Sequence, residues 1–274
     1  NIEDQGYYLG VYGKDAGNHS FTLDVSPQEG EYFEDYYVAE EETPPVTFPT
    51  IVGDGAEVVL FPDKILPNEG IELPTGFDFF FHGTQYTMVH VSPNGMISFM
   101  EYRMYYYWAW DSWYWWYLGY SQELPNDVVA LYWTYLFYDD NLSSQIVYKM
   151  DTITDDQSNE LDRLTIEYYK MAHYDDPDNI AGASKYLTGQ IQLIEGKPRS
   201  DGSVEDGTIR LLYDRDNSSM ENVVGFIGLE NNTGDQIRGP GEVGESWYES
   251  GITGIPENDY LFRYETGGLD LILQ

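Results

Sequence analysis

Cysteine is absent from the 274 residues. Disulfide staples, thiol chemistry and cysteine-based zinc or iron–sulfur sites are therefore excluded. Positive charge is scarce as well: 13 Lys and Arg stand against 48 Asp and Glu, a formal net charge of −35. Such a surface repels nucleic acid and anionic lipid, and neither is expected as a partner. No run of 18 or more apolar residues occurs, so no helix is expected to insert into a membrane. The 4 histidines, His19, His82, His90 and His173, form no HExxH or HxH pairing. A GxSxG elbow and a glycine-rich phosphate loop are missing too. No enzyme is expected. A glycosidase needs only two well-placed carboxylates, so glycoside hydrolysis stays as a third reading on inventory alone.

Aromatic side chains are abundant: 26 Tyr, 12 Phe and 7 Trp. Together with 27 Gly they favour strands over helices. Between Thr87 and Met100 apolar residues alternate, with Val89 and Val91 before a reversal and Ile97 and Phe99 after it. Ser92-Pro93-Asn94-Gly95 sits at that reversal, with proline preset for the second turn position and glycine closing it. His90 falls on the opposite face, expected solvated or paired across strands. The period of two continues at Leu164, Ile166 and Tyr168, at Ile191 and Leu193, and at Ile209, Leu211 and Tyr213. Val223, Ile227 and Leu229 follow, and Tyr260, Phe262 and Tyr264 give the last core strand. Val128 to Tyr138 is apolar on both faces, as a central covered strand is. The expected fold is all-β: an antiparallel β-sandwich with jelly-roll or immunoglobulin-like layers. Residues 1–45 form an acidic N-terminal extension, 46–265 the sandwich, and 266–274 a C-terminal tail. Glu31 to Glu42 reads as a linker or as an edge of the main domain. The chain begins at Asn1, which fits removal of a signal peptide and equally a trimmed chain.

The run LPTGFDFFFHGTQYTMVHVSPNGMISF, from Leu73, resembles the "LPF.F.FYG..Y..V.VSSNG.ISF" signature of secreted bacterial and archaeal surface β-sandwich modules. Their "LP…IAPFWDDL" segment is matched by Leu124-Pro125 through Ala130, Trp133 and Asp139-Asp140. A "F.V.W" strand corresponds to Leu164 to Tyr168, and a "FQV.L…G.I.F.Y" pair to Gly189–Ile194 and Gly207–Tyr213. Val224 to Gly234 matches a final "VGI.N..G". The resemblance covers roughly residues 46–265. It implies an extracellular, adhesive or structural module and brings no catalytic residues. One departure is plain: where such modules carry a short polar loop, this chain has Tyr102 to Tyr120.

Eleven of the sixteen residues from Tyr105 to Tyr120 are Tyr or Trp. Trp108, Trp110, Trp113, Trp115 and Trp116 could fill a corner of the core, but neither strand nor helix spacing puts all these aromatics on one face. The favoured reading is a protein interface or packing under attached glycan. A platform stacking on sugar rings comes second. A membrane role is third, because Asp111 and the acidic surroundings oppose it.

After Glu265-Thr266-Gly267-Gly268 the chain ends in LDLILQ. Leu269, Leu271 and Leu273 share one strand face, with Ile272 on the other. Such a strand either pairs with its own sheet or completes the sandwich of a neighbouring copy. Donation of that kind does not close on itself and builds a filament. GYYLGVYG, residues 6–13, is a rival donor. Four N-x-S/T sequons occur, at Asn18, Asn141, Asn217 and Asn231, and three fall at strand ends where a glycan could project into solvent. Asp139-Asp140, Asp155-Asp156 and Asp175-Asp176-Pro177-Asp178 read first as solvated turns. No cofactor is expected, although Ca²⁺ would find oxygen ligands in those loops, none of which has EF-hand spacing. Together these features predict a structural subunit outside the cell or on its surface, partnered by copies of itself in a helical filament and carrying glycan. The alternative is a carbohydrate-binding or adhesin module that uses residues 102–120.

Overall fold

The computed structural model describes residues 36–42, 45–59, 71–99, 127–155, 157–173, 184–197, 204–231, 237–238, 243–244 and 251–265. Residues 34–267 form one compact unit. The other unit, residues 1–33 with 268–274, lies outside the described residues.

Two sheets carry the fold. The first contains β1 (Tyr36–Glu42), β2 (Glu57–Val58), β7 (Leu136–Phe137), β8 (Gln145–Thr154), β9 (Glu160–His173), β10 (Tyr186–Ile194), β11 (Thr208–Tyr213) and β16 (Asp259–Glu265). Its spatial order is β1-β16-β11-β10-β9-β8-β2, with β7 also paired to β9. The second holds β3 (Ile71–Phe81), β4 (Thr84–Ser92), β5 (Met96–Ser98), β6 (Val128–Trp133), β12 (Val224–Glu230), β13 (Ile237–Arg238), β14 (Val243–Gly244) and β15 (Gly251–Thr253). Its order is β14-β13-β12-β6-β5-β4-β3, with β15 on β12. Every pairing is antiparallel, and the fold is the expected all-β sandwich.

The alternating residues meet between the sheets. Val89, Val91, Ile97, Leu164, Ile166, Ile191, Leu211, Ile227 and Phe262 are fully buried in one cluster. Tyrosine is frequent here because a phenol fills core volume and also reaches carbonyls where a strand is irregular. The Tyr213 hydroxyl, from the first sheet, donates to the Leu131 carbonyl of the second at 2.7 Å. Tyr168 reaches the carbonyls of Ser92 and Met96, both at 2.8 Å. Burial pushes both hydroxyls well above the usual tyrosine range.

The Ser92–Gly95 turn is a buried junction. Gly95 has φ 79°, and a Cβ there would lie 2.4 Å from the Tyr132 carbonyl oxygen. That carbonyl approach and the left-handed backbone both require glycine. The Gly95 carbonyl accepts from the amides of Leu131 and Tyr132, and the Asn94 carbonyl from Thr134. The Asn94 side chain accepts from the Leu136 amide at 3.3 Å. These bonds hold a corner. Val128 to Tyr138, expected as one central strand, is β6 in one sheet and β7 in the other, with the chain crossing at Thr134-Tyr135. Both faces are apolar because the segment serves both sheets.

Strand β1 belongs to the sandwich. It pairs with β16 over its whole length, and Tyr37 is fully buried in the core. The sandwich therefore begins ahead of residue 46, and residues 36–42 of the charged run are its edge, while residues 31–35 lie outside the described residues. From β1 the chain crosses the outer face of the first sheet to β2 at the opposite edge. Residues 45–56 of that strap are pinned along the way. The Val46 amide donates to Asp259 at 3.0 Å, and the Pro49 carbonyl accepts from Gln190 at 2.8 Å. Thr50 Oγ1 and the Ile51 amide donate to Glu167 at 2.8 and 2.7 Å, and Asp54 accepts from Lys149.

Candidate functional site

The positions singled out from sequence divide sharply. Trp108, Trp110, Trp113, Trp115, Trp116, Asn18, residues 6–13 and the tail residues Leu269, Leu271, Ile272 and Leu273 lie outside the described residues. Asn141 is exposed in the turn between β7 and β8, its amide donating to Asp139 Oδ1 at 2.8 Å. Asn217 is exposed after β11, with its side-chain amide on Asp214 at 2.9 Å. Asn231 departs from expectation. It directly follows β12 and is only 8% exposed, so its side chain does not project into solvent as an acceptor would. Its carbonyl accepts from the Asp127 amide, which draws the strand end inward.

His90 is likewise buried, at 8% exposure, rather than solvated; across the strands it stands opposite Glu72 and Ser98. His82 lies in the β3–β4 turn and His173 at the end of β9, so the three described histidines share no site. Among the described residues no three His, Asp or Glu side chains gather as a metal site would need. Asp139 is 5% exposed and its Oδ2 has no hydrogen-bond partner among the described residues. Asp156 and Asp175 to Asp178 lie outside them.

Sequence reasoning missed a carboxylate at the root of the aromatic insertion. Asp127 is 1% exposed and its backbone is left-handed, with φ 52°. Its Oδ2 accepts from the Tyr86 hydroxyl at 2.9 Å. Burial pushes the Asp127 carboxyl up to about 6, against a smaller downward pull from Tyr86. The Phe99 amide donates to the Asp127 carbonyl at 2.9 Å, so the two ends of the segment 100–126 are tied together. No local pattern marks Asp127, because its partner lies 41 residues away.

The sheet edges are the remaining surfaces with chemistry to offer, since an edge presents unpaired amides and carbonyls. Strand β1 is guarded by charge: Glu42 pairs with Arg210 at 2.7 Å and Glu40 with Arg263 at 3.8 Å. Strand β3 is broken by a register shift between Pro74 and Phe79. Within it Gly76 has φ 84° and sits against Met150. Such a bulge blunts edge pairing. On the far side of the first sheet, β2 covers only Val147 and Tyr148 of β8. Beyond Lys149, residues 150–154 have no partner on that side among the described strands. Met150 and Val58 stand beside this edge 49% and 50% exposed.

The described residues form a two-layer antiparallel sandwich in which β2 caps one edge strand, β8, over a short stretch. A family model described as NIDO related matches residues 37–249, and the chain belongs to that family. No curated protein and no solved structure matches the chain significantly.

Proposed function

We propose that the protein is a structural subunit of an extracellular or cell-surface filament, joined to copies of itself by strand donation. The edge of β8, left open among the described strands, carries this reading. Met150 to Thr154 offer ladder groups beside exposed Met150 and Val58. LDLILQ spans about 20 Å when extended, enough to run along that edge. Leu269, Leu271 and Leu273 then cover apolar surface while the backbone makes ladder bonds, and Ile272 faces the other way. Asn141 and Asn217, both exposed in turns, are the described positions at which a glycan would meet solvent.

Negative-stain electron microscopy of the intact chain beside one ending at Gly268 tests the reading. Filaments from the intact chain and monomers from the shortened one are expected. Filaments from both would move the donor to residues 6–13 or to the aromatic insertion. Monomers from both would remove the polymer, and sugar binding by residues 102–120 would be measured next.

A further inference from the structure

Gln190 of β10 stands directly across from Glu167 of β9, and Gln192 follows on the same outer face of the first sheet. All three are at most 1% exposed beneath the strap of residues 45–56. The strap sets Thr50 at the exposed rim of this buried polar group, with its hydroxyl turned inward. Thr50 Oγ1 donates to Glu167 Oε1 at 2.8 Å and accepts from the Val52 amide at 3.3 Å. Glu167 Oε2 accepts from the Ile51 amide at 2.7 Å and from Gln190 Nε2 at 2.9 Å. Gln190 Nε2 also donates to the Pro49 carbonyl at 2.8 Å, and Gln190 Oε1 accepts from Gln192 Nε2 at 3.0 Å. One carboxylate thus holds a hydroxyl on one oxygen and a carboxamide nitrogen on the other. As a clamp these bonds suffice. As chemistry they complete the set that acyl transfer to a hydroxyl needs: a nucleophile, a base, a carbonyl whose oxygen is already hydrogen-bonded, and a leaving nitrogen within reach of the same base.

We infer that this is a self-modification site, at which Thr50 and Gln190 become joined by an ester. Thr50 Oγ1 passes its proton to Glu167 and attacks Gln190 Cδ, forming the Oγ1–Cδ bond. Charge gathers on Gln190 Oε1, where Gln192 Nε2 already donates. Glu167 then gives the proton to Gln190 Nε2, the Cδ–Nε2 bond breaks, and ammonia leaves by the exposed rim at Thr50. No oxidant, metal or second substrate is consumed, and Glu167 ends as it began. Burial raises the Glu167 carboxyl above the ordinary glutamate range, which makes it a stronger base, while the Ile51 amide favours its ionised form. Holding the hydroxyl and the carboxamide on one carboxylate replaces a collision with a first-order step. A structural bond has to form only once in the life of the chain, so a slow step suffices. The product pins residue 50 to residue 190 in a chain that has no cysteine for a disulfide. It is independent of strand donation.

Mass spectrometry of the purified full chain, kept folded at neutral pH and then denatured, tests the site. A mass lower than that of the sequence by one molecule of ammonia is expected. Trypsin should release residues 15–64 and 186–199 as one joined species, which hydroxylamine separates. Thr50→Val removes the nucleophile at nearly constant volume and should restore the full mass and two separate peptides. Thr50→Ser keeps a hydroxyl and should keep the loss. The full sequence mass in the intact chain, or a loss that persists in Thr50→Val, would overturn the inference. The peptide map of the unaltered chain decides even where a variant fails to fold. Residues 15–64 and 186–199 recovered only as separate peptides would mean that Glu167 is a hydrogen-bonded clamp and nothing more.

Discussion

Asp127 shows how one side chain couples a fold to pH. It is buried with Tyr86 as its donor, and burial raises its carboxyl to about 6 from an ordinary value near 4. A carboxyl that binds its proton more tightly in the folded state contributes most below the unfolded pKa. Its ionisation subtracts stability as pH rises through about 6. Asp127→Asn keeps an acceptor for Tyr86 and removes the ionisation. The unfolding free energy of the native chain from urea titrations should therefore fall relative to that of the variant between pH 4 and pH 7, by roughly 1–2 kcal/mol. Parallel profiles would show that Asp127 does not titrate in this window. Gly95 makes a different kind of demand. Gly95→Ala puts a Cβ 2.4 Å from the Tyr132 carbonyl oxygen in a left-handed backbone, so a loss of at least about 2 kcal/mol in thermal or chemical denaturation is expected. At this scale the sequence was only partly readable. The glycine of the SPNG turn announced itself through its neighbours. Asp127 and Glu167 did not, because the partners of each lie far away in the chain.

At the level of elements, the strap of residues 45–56 decides why the first sheet has a polar yet buried outer face. Thr165, Glu167, Gln190 and Gln192 are all at most 3% exposed on the side away from the core. Period-two reading treats such positions as a solvent face, and a strap arriving from another edge of the sheet leaves no mark in the strand itself. The same limit explains the β6–β7 corner. An apolar run covered on both faces looks identical whether it stays in one sheet or passes between two. What alternation does reveal is the inward set, and Val89, Val91, Ile97, Leu164, Ile166, Ile191 and Leu211 all lie in the core. Glu167 fastens the strap by accepting from Thr50, Ile51 and Gln190. Burial pushes its carboxyl upward while those donors pull it back. Glu167→Ala strands the Ile51 amide and the Thr50 hydroxyl without their acceptor, while Gln190 keeps the Pro49 carbonyl, and should cost about 2–4 kcal/mol. Hydrogen exchange at the Ile51 amide should rise by far more than exchange in β10 and β11. Uniform loss of protection would mean that the strap and the sheet open as one unit.

For the whole molecule, charge and edges act against each other. On the proposed reading, a subunit carrying a net charge of −35 repels its copies, while the β8 edge left open among the described strands and an apolar tail would draw them together. Salt shortens the reach of the repulsion to about 8–10 Å near physiological strength and leaves ladder bonds and buried leucines largely intact. Assembly should therefore be slow or absent at low ionic strength and accelerate as salt or a divalent cation is added, followed by light scattering. Each donated leucine contributes about 1.5–3 kcal/mol on burial, before the cost of ordering the tail. The β8 edge left open among the described strands could not be read from sequence, because it arises only when strands distant in the chain become neighbours. LDLILQ, the donor proposed here, stands apart in the sequence after a glycine pair and lies outside the described residues. The cysteine-free background offers the most direct measurement of strand donation: Leu271→Cys combined with Met150→Cys, oxidised and run on a non-reducing gel. A ladder of disulfide-linked oligomers, lost on reduction, is the predicted result. A single species closed within one chain would mean that the tail completes its own sheet, and would contradict donation between copies.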